Sequence, residues 1–187
     1  MHLLVDPVWT WSHFFFGLTY AITASFLFLF VVLVFFKPKI KICPFICRSE
    51  SPYEGEKMVY YFKIVNTSLF SANDVKAELC VIERYPVPPT GMMNKRSTNI
   101  KLIADYVPII APFRPKWYRK AADHCLKFRS LEDIESIVKD EFKSVEFSVY
   151  LRHGLTGLVT IYSQEYSDKS EIENGKHTYG TKFGVIK

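Results

Sequence analysis

Hydrophobic and polar positions follow two different rhythms along this chain. From Phe14 to Phe36 there are 23 residues without Asp, Glu, Lys or Arg, and Phe, Leu and Val occupy every helical face from Phe26 to Phe36. At ~1.5 Å rise per residue such a helix spans roughly 35 Å, enough to cross a ~30 Å hydrocarbon core with some tilt. A helix in the core of a soluble domain would carry one apolar stripe instead. A cleaved secretory signal would open with basic residues and close on a small-x-small site. This chain opens MHLLVDPVWTWSH and leaves the apolar block through VFFKPK. The pattern predicts a permanent membrane helix over residues 14–36.

Beyond Lys37 the period shortens to two. MVYYFKIVN (58–66) places Tyr60, Phe62 and Ile64 on one face of a strand, and DVKAELCVIER (74–84) does the same with Val75, Ala77, Leu79 and Val81. SVEFSVYLR (144–152) alternates Val145, Phe147, Val149 and Leu151 with polar neighbours; LVTIYSQEY follows across the turn HGLTG, and the tail adds one or two strands around Asn174, Gly175 and Gly180. One short helix is signalled by LEDIESIVKD, with Ser130 as N-cap, Asp133 completing a capping box, and Leu131, Ile134, Ile137 and Val138 as its stripe. Seven or eight strands with one helix among them predict a mainly β fold, an antiparallel β-sandwich over residues 57–187.

Charge decides the topology. Lys37, Lys39, Lys41 and Arg48 follow the span, while the other flank carries only Asp6 and two histidines, so the positive-inside rule puts the C-terminal part in the cytoplasm. Trp9 and Trp11 suit the interfacial belt. The expected layout is an extracytoplasmic tail over 1–13, the span, a juxtamembrane linker with a first strand over 37–56, and the cytoplasmic domain. Four irregularly placed cysteines fit a reducing compartment, and the sequon at Asn66 then carries no weight.

The segment KPKIKI directly after a membrane helix, followed by VYYFKIVNTSLFSANDVKAELCVIER, resembles the first strands of inward-rectifier potassium channel cytoplasmic domains. EFKSVEFSVYLRHGLTGLVTIYSQEYSDKSEIENGKHTYGTKF is similar to that family's closing strands. The likeness implies an immunoglobulin-like sandwich below a membrane helix, and a homotetramer. Those channels have two membrane helices around a TVGYG-like filter; this chain has one helix and no filter, so potassium selectivity does not carry over.

Within the span, Gly17, Ala21 and Ser25 recur every four residues, a small-xxx-small stripe that lets helix backbones approach in lipid. Thr19 and Thr23 form a second stripe, whose hydroxyls can bond back to their own helix. The stripes suit either a plain anchor or self-association, with the Gly17, Thr19, Ala21 and Thr23 side lining an ion pathway.

The net charge of +5 is uneven: residues 94–129 hold nine Lys or Arg against two Asp. APFRPKWYRK (111–120) interleaves Arg114, Lys116, Arg119 and Lys120 with Phe113, Trp117 and Tyr118, and the Pro-rich loop before it adds Lys95 and Arg96. Cations neutralise phosphates and aromatic faces stack on bases, so the mixture suits a nucleotide or a single-stranded oligonucleotide. A solvated inter-subunit loop and a patch on anionic lipid headgroups compete with that reading. No Gly-rich phosphate loop, nucleophile elbow or metalloprotease spacing occurs; Cys43 and Cys47 lack two further zinc ligands nearby, and His153 beside a turn is expected to be exposed. The sequence thus predicts neither catalysis, metal nor cofactor.

In layout the chain also looks like small bacterial antiphage membrane effectors, including the membrane component of the Hailong system, whose signal is a nucleic-acid oligomer. That likeness implies an inner-membrane effector gated by a nucleotide or nucleic-acid signal, with a cognate signalling protein as partner. The alternative is a non-conducting adaptor that binds a protein through its sandwich.

Overall fold

A computed structural model describes residues 7–35, 37–55, 57–89, 91–114, 123–153 and 157–186. The chain divides into two compact units, Met1–Lys37 and Pro38–Lys187. Among its described residues the first holds one helix, α1 (Pro7–Phe35). It starts seven residues before the expected span, because Pro7 is tolerated in a first helical turn and nothing in VWTWSH breaks a helix. Its stretch Trp11–Val34, 24 residues, is long and apolar enough to cross a membrane.

The second unit is mainly β, with two sheets face to face in a sandwich-like arrangement. Its elements are β1 (Ile40–Ile42), β2 (Ile46–Ser51), β3 (Lys57–Asn66), β4 (Ala72–Val87), β5 (Met92–Ile100), β6 (Tyr106–Ile110), β7 (Cys125–Ser130), α2 (Ile134–Val138), β8 (Lys143–Arg152), β9 (Val159–Tyr166), β10 (Ile172–Asn174), β11 (Lys176–His177) and β12 (Val185–Ile186). In the first sheet β3 is central, with β1 and β2 end to end along one side, β7 along the other, and β10 outside β2. In the second, β4 is flanked by β8 and β9 on one side and by β5 and β6, again end to end, on the other. The pairs are antiparallel except β10 with β2. Residues 40–51, expected as linker and first strand, are therefore part of the sandwich.

Alternation places the core as the sequence predicts. Tyr60, Phe62 and Ile64 of β3 meet Val145, Phe147, Val149 and Leu151 of β8, all buried. The Phe62 and Phe147 rings stack at 4.9 Å, with Phe128 and Tyr166 against them at 5.7 and 5.9 Å. On β4 the frame holds through Leu79, then shifts: Ile82 is buried and Val81 only partly. Two local expectations change. Asp133, not Ser130, caps α2, accepting from the Ser136 N–H, while Ser130 ends β7 and donates to the Lys101 carbonyl. The Pro-rich loop is instead a hairpin, with Tyr85, Pro86 and Val87 of β4 paired to Asn94, Met93 and Met92 of β5. Gly91, at φ +65°, turns the chain there.

Candidate functional site

The first candidate surface begins where β6 ends. Asn66, fully buried, organises it: its side-chain amide donates to the carbonyls of Phe70 (2.7 Å) and Ala111 (3.1 Å), and its oxygen accepts from the N–H and hydroxyl of Ser68. That leaves the sequon amide committed to the fold. Residues 111–114 run along this scaffold, with the Phe113 N–H donating to Ser68 O at 2.7 Å and its ring edge-on to buried His124 at 5.7 Å. Phe113 is half-buried and packs the loop; Arg114 is exposed. Lys116, Trp117, Tyr118, Arg119 and Lys120 lie outside the described residues.

Lys39 belongs to the same end of the sandwich, since its carbonyl accepts from the Thr67 N–H at 2.8 Å. This is the end at which the chain comes in from α1, here called the linker end; it carries the exposed Lys39, Lys41 and Arg114. Sequence separation hid this grouping.

Lys95 and Arg96 stand elsewhere. They are opposite Arg84 and Glu83 near the far end of β4, whereas Ile110 is opposite Ala72 at its start. Eleven residues of strand, roughly 35 Å at ~3.3 Å each, separate the two positions. Within one copy, Lys95 and Arg96 do not share a surface with Phe113 and Arg114. They also have acidic company: Glu83 and Glu165 pair with Lys143 and Arg84 beside them.

In α1 the stripes fall apart as well. At 100° per residue, positions two apart face nearly opposite ways, so Gly17 and Ala21 are on one side and Thr19 and Thr23 on the other. One pathway is not lined by all four, which corrects the expectation of a shared pore side. Thr19, Thr23 and Ser25 each donate to the carbonyl four residues back, at 2.8 Å. Nothing lies within 4 Å of a Cβ built on Gly17.

A third group was invisible in sequence. Lys63 of β3 points away from the core yet is buried, because the tail from Gly175 to Ile186 folds over that face. Its ammonium donates to the carbonyls of Thr178 (2.7 Å) and Lys182 (2.8 Å) and lies 5.6 Å from the Phe183 ring. Lys127, its register partner on β7, reaches His177 O at 3.3 Å and lies 5.3 Å from the Tyr179 ring. Burial lowers the pKa of both lysines. His177, 1% exposed, stacks on Phe45, bonds the Tyr61 carbonyl through Nε2 at 2.9 Å, and presents Nδ1 to Cys43 Sγ at 3.9 Å. Burial pushes the Cys43 thiol up to about 11, the Cys47 thiol to about 12, and the imidazole down to about 4. The proton stays on sulfur, so this is no activated nucleophile–base pair.

A concavity of about 540 Å³ beside α2 is lined by Arg48, Lys57, Tyr60, Asp133, Glu135 and Lys139. Glu135 is already paired with Arg48 and Lys169, and Asp133 accepts from the Tyr60 hydroxyl, so both of its carboxylates are engaged. Among the described residues no three His, Cys, Asp or Glu side chains are grouped to hold a metal. His153 is buried rather than exposed, its N–H donating to Leu158 O across the turn. Compared with protein-family models and with curated proteins, the chain matches none.

Proposed function

We propose that this protein is an oligomeric membrane effector of a bacterial inner membrane, in which a cytoplasmic β-sandwich controls the association of single N-terminal helices. The observation that carries the reading is the division of the chain into a 24-residue apolar span and a separate compact β unit. In this reading Gly17, Ala21 and Ser25 form the helix-packing side, since small side chains let helices approach where hydrophobicity gives no drive. A phosphate-bearing signal, a nucleotide or short oligonucleotide, binds through Arg114 and the cationic segment 116–120. It alters helix packing and opens an ion pathway. Such control requires a difference in ligand affinity between the two packings, typically ~1–3 kcal/mol.

The test replaces Gly17, Ala21 and Ser25 together by leucine and measures ion flux in liposomes and toxicity in cells. Loss of both, with membrane insertion intact, is the expected outcome; unchanged flux overturns the packing role. Reversing charge at Arg114, Lys116, Arg119 and Lys120 is expected to remove the response to ligand and leave assembly in place.

A non-conducting adaptor is the second reading. It is favoured by the hydroxyls of Thr19, Thr23 and Ser25, which are satisfied within their own helix and need no water-filled path. An adaptor gives no flux in either variant.

A further inference from the structure

The face of the first sheet that turns away from the core collects cations. Register sets Lys41 opposite Val65, Lys63 opposite Lys127 and Arg129 opposite Tyr61, all on that face. Arg129 is paired with Glu54 at 3.6 Å. Lys63 and Lys127 bond only carbonyls among the described residues. Glu173 shares the face, opposite Cys47 on β2, and forms no ion pair with either lysine among the described residues. The tail laid over them, GKHTYGTKFGVI, brings no carboxylate side chain and two more lysines, Lys176 and Lys182. Like charges directly opposite each other weaken a strand pair, and burial sharpens the cost because water no longer screens them. Burial lowers the pKa of both lysines, and neighbouring cations add to it, Lys127 acting on Lys63 and Lys176 on Lys127. Neutral carbonyls solvate these ammoniums and leave their charge uncancelled.

The cover is anchored unevenly. β11 and β12 pair only with each other among the described residues, and a two-stranded ribbon alone is marginally stable. His177 seats the near end of the tail, stacked on Phe45 and bonded to the Tyr61 carbonyl. Beyond it, residues 178–184 form a loop closed on itself by the Thr178 N–H donating to Gly184 O at 2.8 Å. Tyr179 in this loop is 83% exposed, and Gly180 turns the chain at φ +76°. The same loop supplies both carbonyls on Lys63 and the two rings, Tyr179 and Phe183, over the ammoniums.

We propose that Lys63 and Lys127 form a phosphate-binding site kept shut by the loop 178–184, whose carbonyls and rings hold the place of a phosphoryl group until one displaces them. Directly opposite residues of an antiparallel pair stand ~4.5–5.5 Å apart at Cα, so one phosphoryl group is within reach of both ammoniums. Its oxygens accept from the two lysines and cancel the charge that the loop only solvates. The loop lifts beyond His177, which stays seated; Lys127 keeps its 3.3 Å bond to the His177 carbonyl and has donors to spare. Lys41 and Lys176, both exposed, extend the cationic rim, so a chain of phosphates gains over a single one. The site shares no residue with Arg114 and the segment 116–120, and it requires neither an ion pathway nor an oligomer.

The test titrates inorganic tripolyphosphate into the full-length protein in phosphatidylcholine nanodiscs, reading affinity by calorimetry and loop opening by hydrogen exchange of residues 178–184. Binding is expected to speed that exchange. Tyr179→Ala with Phe183→Ala, which removes the rings and keeps the lysines, should bind about fivefold tighter or more, because less of the affinity goes into opening the loop. Lys63→Met with Lys127→Met should bind at least about tenfold weaker, two charge-assisted bonds being lost. Unchanged affinity in the methionine pair puts the anion on other cations, Arg114 among them, and overturns the proposal while leaving the linker-end reading untouched. Slower exchange of 178–184 on binding, or weaker binding by the ring variant, overturns it too, and the ring variant decides alone if the methionine pair does not fold. No binding by the wild type or the ring variant likewise overturns it. Given that binding, phosphatidylglycerol nanodiscs without tripolyphosphate identify the source: faster exchange of 178–184 assigns the site to lipid phosphate, and unchanged exchange assigns it to a soluble ligand.

Discussion

Lys63 and His177 illustrate how single side chains hold the tail of this molecule in place. A buried ammonium is costly unless oxygens replace its water. Thr178 and Lys182 offer two carbonyls, and in return Lys63 anchors the loop that carries them. His177 contributes only while neutral. Its pKa falls from 6.5 to about 4 on folding, chiefly through burial, so the unfolded chain binds more protons between those values. Stability from this residue is therefore complete above pH 6.5 and is lost as pH drops towards 4, by up to about 3 kcal/mol. Melting of the detergent-solubilised protein at pH 7.5 and pH 4.5 checks this. The wild-type chain should lose clearly more melting temperature on acidification than a His177→Gln variant; equal losses would show that the imidazole does not report on the tail. Gly175 sets a steric condition on the same tail, since a Cβ there would lie 2.5 Å from the Ile186 carbonyl oxygen.

At the scale of elements, the Phe62–Phe147 stack ties the two sheets together. Phe147→Ala is expected to cost about 3–5 kcal/mol of unfolding free energy, read by urea titration, because neighbouring rings collapse only partly into the space. The strands that supply this core were legible because β8 and β9 alternate inward and outward with little interruption, while β3, buried on both faces, showed itself by its apolar residues. The edges were not. β1 and β2 are two halves of one broken strand along β3, and β5 and β6 repeat the device along β4; each half is too short or too polar to show a period of its own. Pro86 and the methionines of the β4–β5 hairpin carry no strand signal and take their conformation from cross-strand pairing. The cap of α2 went to Asp133 because Ser130 was already committed to β7, a choice that only the sheet makes.

For the whole molecule, the separation between an N-terminal apolar helix and a β unit was legible in hydropathy. The grouping of cations was not, because contiguity in sequence suggested one basic surface and the strand lengths divide it. Lys95 and Arg96 stand at the far end of β4, while Arg114 joins Lys39 and Lys41, which are more than seventy residues away along the chain. The face beneath the tail lacked any sequence signal, since Lys63 and Lys127 occupy outward positions where lysine is ordinary.

The short interval between the two units has a mechanical meaning. Only residues 36–39 separate the end of α1 at Phe35 from β1 at Ile40, at most roughly 18 Å of fully extended chain. Pro38 removes one rotatable angle from it. So short a tether has little slack, and the gating proposed above would use it to pass a turn or shift of the β unit to the helix. On the gating proposed above, ten Gly and Ser residues inserted between Lys37 and Pro38 are expected to leave folding and membrane insertion unchanged and to abolish ligand control of flux. If control survives the insertion, the two units communicate by some route other than the chain that joins them.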